Sequence, residues 1–269
     1  MSTGDALIPI QLRGIQETLL IPLWARATET LRADGILQDP LALTLMRQLD
    51  YDFSRIGWSP VMQTGIAIRT EILDRAVRAF LQIFPDALVL NLASGLDTRF
   101  FRLDNGQMNW LNLDLPEALA LRQQLLPDGP RHASLAGSVL ADDWCARIPR
   151  APHMLVIIEG LLMYLTPAEM QAVLCRLAEH FPGARILLEC VSPLSVFTSG
   201  FYYRRSGLSA RWRGGIAHGR VVENWHPRLR CLNEWYYLDR HPQRWGWLRL
   251  IRQFPALRNS IRILELQAG

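Results

Sequence analysis

Leu88-Val89-Leu90-Asn91-Leu92-Ala93-Ser94-Gly95-Leu96-Asp97-Thr98-Arg99 opens a unit that a second apolar run, Met108 to Leu113, closes on Asp114. The first run, Leu88 to Ala93, is long enough for a buried strand and too short for an ordinary helix. It breaks at Ser94-Gly95, after which Asp97 or Thr98 can cap the first turn of a helix. Asp114 then stands ~20 residues beyond the turn glycine, the spacing of a nucleotide-binding strand–turn–helix–strand unit. The pattern predicts one half of a Rossmann-like α/β sheet.

Each part of such a unit has a physical role. A glycine at position 95 lets backbone N–H groups approach a ligand with no side chain in the way. A carboxylate at the tip of the second strand accepts hydrogen bonds from ribose hydroxyls. Ala93-Ser94-Gly95 offers one glycine where a pyrophosphate cradle shows G-x-G-x-x-G, so an adenosine ligand without a diphosphate fits better. This points to S-adenosylmethionine (SAM) rather than NAD. An ordinary βαβ unit whose aspartate merely ends a strand reads the same residues equally well.

Outward from this unit, Ser59-Pro60 supplies an N-cap followed by proline at the first helical position, which opens a helix to about Phe84. Ile68, Ile72, Ala76, Phe80 and Phe84 form one row, with Leu73, Val77 and Leu81 beside it. Arg69 begins that second row, whereas Glu71, Asp74, Arg75, Arg78 and Gln82 are expected to point elsewhere. A buried guanidinium needs an anion. For Arg69 that is either a ligand carboxylate or a structural salt bridge to a nearby acid.

Pro116 to Leu126 reads as a short helix and Ala133 to Val139 as a third strand, with Trp144 anchoring the loop beyond. His153 to Ile158 is a fourth strand ending in Glu159-Gly160, so a second carboxylate stands at the sheet edge where open α/β folds bind ligands. Thr166-Pro167-Ala168-Glu169 is a capping box. Its helix buries Met170, Val173, Leu174, Leu177 and Phe181 and stops at Gly183, and Arg185 to Val191 is a fifth strand. From Ser192 to Pro227 regular alternation fails. Strands resume near Arg230 to Leu238 and Ser260 to Leu266, an antiparallel pair that would complete a seven-stranded sheet. The expected organisation is a single domain, residues 1–269. It comprises an N-terminal helical cap (1–58, with helices near Ile15–Leu31 and Asp39–Leu49), a cofactor-binding core (59–191), a substrate lid (192–229) and closing strands (230–269).

Composition excludes several classes. No apolar run approaches the ~20 residues of a membrane span, and Met154 to Leu165 is interrupted by Glu159-Gly160. The N-terminus shows no secretory pattern, so the expected location is cytoplasmic. Cys145, Cys175, Cys190 and Cys231 are too scattered for a zinc site, and no metal is expected. The chain contains no lysine, which rules out Schiff-base chemistry. Arg204-Arg205, Arg211, Arg213 and Arg220, interleaved with Tyr202, Tyr203 and Trp212, form either a lid that binds an acidic small molecule or an RNA-binding surface.

Several separate motifs occur together and in order. Arg69-Thr70 with Asp74, Asn91 to Arg99, Asp114-Leu115-Pro116-Glu117 and Glu159 to Leu165 resemble the leucine carboxyl methyltransferase superfamily, and more closely its tetracenomycin-type polyketide O-methyltransferases. The resemblance runs from about Thr18 through Leu264. It implies a class I SAM-dependent methyltransferase fold with the lid inserted after the fifth strand. Carried over by position, Arg69 grips the SAM carboxylate, Gly95 passes the methionine moiety and Asp114 takes the ribose hydroxyls. Ser138-Val139 meets the adenine, and Glu159 lies near the methionine end. Ala93 replaces a family glycine, and Ser138 stands where many members carry aspartate.

SAM carries an activated leaving group, so alignment supplies much of the catalysis. A carboxylate acceptor needs no general base, whereas a phenol benefits from one. Base candidates are His226, within Trp225-His226-Pro227, together with His218 and Tyr203. Tyr164, Tyr202, Tyr203, Trp212 and Trp225 are candidates to stack on a planar acceptor, or are core residues of the lid. The expected function is O-methylation of a carboxylate or phenol on a polyketide-like small molecule. The alternatives are carboxyl methylation of a protein or peptide C-terminus, a non-catalytic SAM- or RNA-binding protein, and an NAD-dependent reductase.

Overall fold

The structure is a computed structural model that describes residues 7–10, 16–56, 59–206 and 211–269, without the side chains of 200–206. Seven strands form one sheet: β1 (Leu88–Leu92), β2 (Asn109–Asp114), β3 (His132–Ala136), β4 (Met154–Ile158), β5 (Arg185–Val191), β6 (Leu229–Tyr236) and β7 (Ile261–Ala268). Their spatial order is β3-β2-β1-β4-β5-β7-β6. Only β7 runs antiparallel, to β5 on one side and β6 on the other. The order reverses between β1 and β4, and ligands bind at such a switch point beyond the carboxyl ends of the strands. Leu92 is level with Ile158, so the turn at Ala93 and the carboxylate of Glu159 leave the sheet side by side.

Unbroken apolar runs suit β1 and β4 because both faces of these strands are covered; all five residues of each are buried. Leu88, Leu90, Leu92, Val156 and Ile158 pack into one core, while Val89, Leu155 and Ile157 pack into the other. The helices of five or more residues are α1 (Leu20–Thr30), α2 (Pro40–Gln48), α3 (Pro60–Ile83), α4 (Arg99–Leu103), α5 (Pro116–Leu125), α6 (Pro167–His180) and α7 (Pro193–Ser206). The inward row of α3 (Ile68, Ile72, Leu73, Val77, Leu81) fills the second core, and that of α6 (Met170, Val173, Leu174, Leu177) fills the first. Ser59 caps α3 through a bond from the Met62 N–H, and Thr166 with Glu169 forms the capping box of α6. Helices α1 and α2 make a third core with Leu96, Leu121 and Leu125, which brings the N-terminal region against the β1 turn.

The structure corrects three expectations and decides between the two residues offered in a fourth. Asp74 does not face outward: it is buried, because Arg99 and Arg102 from α4 cover that side of α3. The stretch after β5 is not irregular throughout but opens with α7, whose first turn is capped by Ser192 Oγ accepting from the Ser195 N–H at 3.2 Å. Strand β3 ends at Ala136 rather than Val139, because after the last ladder bond, from the Gly137 N–H to the Asp114 carbonyl, residues 138–141 turn. At the start of α4, Asp97 accepts the Arg99 N–H, whereas the Thr98 hydroxyl donates instead to Asp39. Trp144 is fully buried with its indole N–H on the Val139 carbonyl. Between β6 and β7 lies a 3-10 segment, Pro242–Gln253, kinked at Gly246. Among the described residues no helix is long and apolar enough to cross a membrane, no acid–histidine–cysteine cluster could hold a metal, and the four cysteines are free.

Candidate active site

The turn after β1 is held in an uncommon conformation. Ala93 and Gly95 both adopt positive φ, +52° and +47°. Alanine pays a steric penalty there that glycine does not. The Gly95 N–H donates to Asp114 Oδ2 at 2.7 Å and the Leu115 N–H to Oδ1 at 2.7 Å. Each carboxylate oxygen therefore keeps a lone pair for another donor. Burial raises the Asp114 pKa above the ordinary carboxylate value, more than these two N–H donors lower it.

Beside the turn lies a cluster of buried charges. Arg69 Nε lies 2.7 Å from Glu159 Oε1 in an ion pair but makes no hydrogen bond, and Nη1 donates to Glu189 Oε2 at 2.9 Å, while Nη2 has no hydrogen bond among the described residues either. Arg99 donates to Asp74 (2.7 Å), Asp97 (2.6 Å) and Glu159 (2.8 Å). Arg102 bridges Asp39 and Asp74, and Arg26 pairs with Asp39. Glu189 also accepts the Gly160 N–H at 2.8 Å and the Tyr237 hydroxyl at 2.8 Å. Burial raises the pKa values of Glu159 and Asp97, but the facing guanidiniums, Arg69 and Arg99 on Glu159 and Arg99 and Arg102 on Asp97, bring both below the ordinary range. The guanidiniums of Arg26, Arg69, Arg99 and Arg102 face the carboxylates of Asp39, Asp74, Asp97, Glu159 and Glu189, which leaves one negative charge in excess.

A cavity of about 1200 Å³ opens onto both features. Arg69, Ser94, Gly95, Asp97, Asp114, Ser138, Val139, Glu159 and Glu189 line one part of it. Gln16, Thr18, Leu19, Ile21 and Pro22 wall it from the N-terminal region. The remainder is largely apolar and aromatic: Met62 and Ile66 of α3, Tyr164, Trp212, and Trp245, Trp247, Leu248 and Ile251 of the 3-10 segment.

Of the residues singled out in the sequence, Arg69, Gly95, Asp114, Ser138, Val139 and Glu159 share this wall, as do Tyr164 and Trp212. Arg69 meets acids, the structural alternative, yet retains one nitrogen. Trp225 does not line the cavity but packs at the edge of the first core. His226 lies off the cavity too: its Nδ1 accepts the Arg228 N–H at 3.2 Å and its carbonyl accepts from Leu229, so Trp225-His226-Pro227 is a turn into β6. His218 is exposed and likewise off the wall. The side chains of Tyr202 and Tyr203 lie outside the described residues. Glu189 and the 3-10 wall are not among the sequence candidates, and Arg99 is there only as part of the Asn91 to Arg99 motif. An acid inside the apolar run Arg185 to Val191 was the available signal for Glu189; for the wall it was Trp245, Leu248 and Ile251, which recur every three residues, the 3-10 period.

The family model for leucine carboxyl methyltransferases matches residues 20–178. The tetracenomycin polyketide synthesis O-methyltransferase TcmP of Streptomyces glaucescens is 34% identical over 264 residues, covering 95% of this chain and 97% of that one. The S-adenosyl-L-methionine-dependent methyltransferase dpfgK of Gibberella zeae is 27% identical over 266 residues, 89% and 88% of the two chains. Among solved structures, a candidate methyltransferase of Thermobifida fusca superposes with a TM-score of 0.57 at 16% identity, over 91% of this chain and 94% of the other.

Proposed function

We propose that this chain, which belongs to the leucine carboxyl methyltransferase family and is a SAM-dependent methyltransferase, forms methyl esters on an apolar, ring-bearing acid of polyketide type. The methyl donor is held at the Arg69–Asp114–Glu159 end of the cavity, and the acceptor lies against Met62, Ile66, Tyr164, Trp212 and the 3-10 wall. Four observations support the donor's fit. Arg69 keeps Nη2 for a carboxylate, and Asp114 keeps a lone pair on each oxygen for ribose hydroxyls. Ser94 Oγ is buried on the cavity wall with no partner among the described residues. The excess negative charge of the cluster complements a ligand whose sulfonium and ammonium outnumber its one carboxylate. Residues 16–22 cover this end, in keeping with an N-terminal cap over residues 59–191, and α7 with the segment after it serves as the acceptor lid.

When bound, the donor supplies a methyl group already activated on a sulfonium. The chain's own contribution is alignment and exclusion of water. One observation carries the choice of acceptor. Among the described residues the wall holds no histidine, and of its acids near the turn Asp114 is taken by the donor's ribose, Glu159 by Arg69 and Arg99, Glu189 by Arg69, Gly160 and Tyr237, and Asp97 by Arg99 and Asn91. Glu159 and Asp97, whose pKa values the facing guanidiniums lower, are poor bases, and both oxygens of Glu189 already accept hydrogen bonds. An acceptor oxygen ionised by itself at neutral pH requires none, which selects a carboxylate (pKa ~4) over a phenol (pKa ~10). The apolar walls suit fused rings, and the relation to a polyketide O-methyltransferase agrees with that class.

The test is incubation with methyl-labelled SAM and three acceptors: a polycyclic aromatic acid, its phenol counterpart and a peptide ending in a free carboxylate. Label on the aromatic acid that mild base releases as volatile methanol is expected. Base-stable label on the phenol would overturn the ester assignment, and label on the peptide alone would overturn the small-molecule acceptor.

A further inference from the structure

We infer that Arg122, on the far side of the turn from the cavity, is a positioning residue for methyl-donor binding: it holds the Gly95–Asp97 backbone in the shape that presents Asp114. The inference rests on the cofactor site proposed above. Arg122 is fully buried on α5 and is not among the residues that line the cavity. Its hydrogen bonds go to neutral acceptors. Nη1 donates to the carbonyls of Gly95 and Asp97, both at 2.9 Å, and Nη2 to His132 Nε2 at 3.1 Å. Asn112 Nδ2 approaches the same His132 nitrogen at 2.8 Å, so that nitrogen is an acceptor and the imidazole is neutral. Arg122 Nε is buried with no partner among the described residues.

Burying a guanidinium without a bonded carboxylate is costly, and a neutral apolar residue would anchor α5 with no such cost. What Arg122 gains is the turn. Arg26 Nη2 takes the intervening Leu96 carbonyl at 2.8 Å. Three successive carbonyls, those of Gly95, Leu96 and Asp97, are thus drawn onto two buried guanidiniums from α1 and α5. A turn with two positive-φ residues in three does not hold itself. With its carbonyls fixed inward, the Gly95 N–H is left aimed at Asp114 Oδ2. Arg122 therefore sets the carboxylate's orientation from behind without touching the ligand, which lowers the ordering cost of binding.

Calorimetric titration with SAM of the wild type, Arg122→Met, Arg122→Lys and Asp114→Ala, alongside hydrogen exchange of the amides of residues 93–98, tests this. Arg122→Met is expected to raise the Kd for SAM by about tenfold and to speed exchange in the turn. Arg122→Lys, whose ammonium can still reach one carbonyl, should recover most of that, to within about threefold of wild type. A purely structural role would lower the melting temperature while leaving the Kd of the folded protein unchanged. A folded Arg122→Met with unchanged Kd, or failure of both Arg122 variants to fold, overturns the inference. If Asp114→Ala also binds SAM unchanged, the cofactor-site reading falls; if Asp114→Ala weakens binding and Arg122→Met does not, only the inference about Arg122 falls.

Discussion

Ala93→Gly should make the protein more stable, against the usual direction of alanine-to-glycine changes. Ala93 sits at φ +52° between β1 and the Gly95 turn, with its N–H on the Leu113 carbonyl at 2.7 Å. An L-residue in the left-handed region carries ~1–2 kcal/mol of steric cost that glycine lacks. Glycine in turn widens the unfolded ensemble, which costs ~0.4–1 kcal/mol. The balance favours the variant by about 0.5–1 kcal/mol. For a domain of this size that raises the melting temperature by roughly 1–3 °C. Scanning calorimetry without ligand reads it, with Ala67→Gly, at a buried position inside α3, as the comparison. That control should lose ~1 kcal/mol or more through helix propensity. If Ala93→Gly is destabilised as the control is, Ala93 does not occupy the strained conformation, and the account of the turn as a shape imposed by its surroundings is refuted.

Arg99→Met should be among the most damaging single changes, since it takes the close guanidinium from buried Asp97 and one of two from Asp74 and Glu159; a loss of ~3–5 kcal/mol is expected from denaturant titration, and a loss under ~1 kcal/mol would contradict it. His132 should tie stability to pH. Burial and then Arg122 push its pKa down to about 4 from an ordinary 6.5, so its neutral form contributes fully above pH ~6.5 and that contribution is lost as pH falls towards 4, on the order of 3 kcal/mol in all. Unfolding free energies across this window should fall less steeply in His132→Gln than in the wild type, and parallel curves would exclude His132 as the source.

Much of the fold was legible because its strongest signals are local. The runs Leu88 to Leu92 and Met154 to Ile158 can only be doubly covered strands, and Ser59-Pro60 and Thr166 to Glu169 carry their own caps. Helix α7 was missed although Ser192-Pro193 repeats the Ser59-Pro60 signal, because the residues after it lack an apolar stripe. Asp74 was misread because one apolar face was assigned to α3, whereas α4 covers a second, polar one with arginines. Arg69, Asp114 and Glu159 stood out as charges in apolar settings or at strand tips. The stacking and base candidates Trp225, His226 and His218 lie off the cavity for a different reason: residue type alone does not say which side of a loop faces it. Arg122 and Glu189 belong to a network closed across 10 to 120 residues of sequence, and its partners are set by tertiary packing rather than by any local pattern.

Titration of SAM into the wild type and Asp114→Ala tests most directly whether the methyl donor sits at the rim between β1, β2 and β4. Saturable binding to the wild type, weakened in the variant by ~1–3 kcal/mol or about five- to 150-fold, is the predicted result. Equal affinity in the two proteins would contradict it and would remove the carboxylate at the tip of β2 from the site.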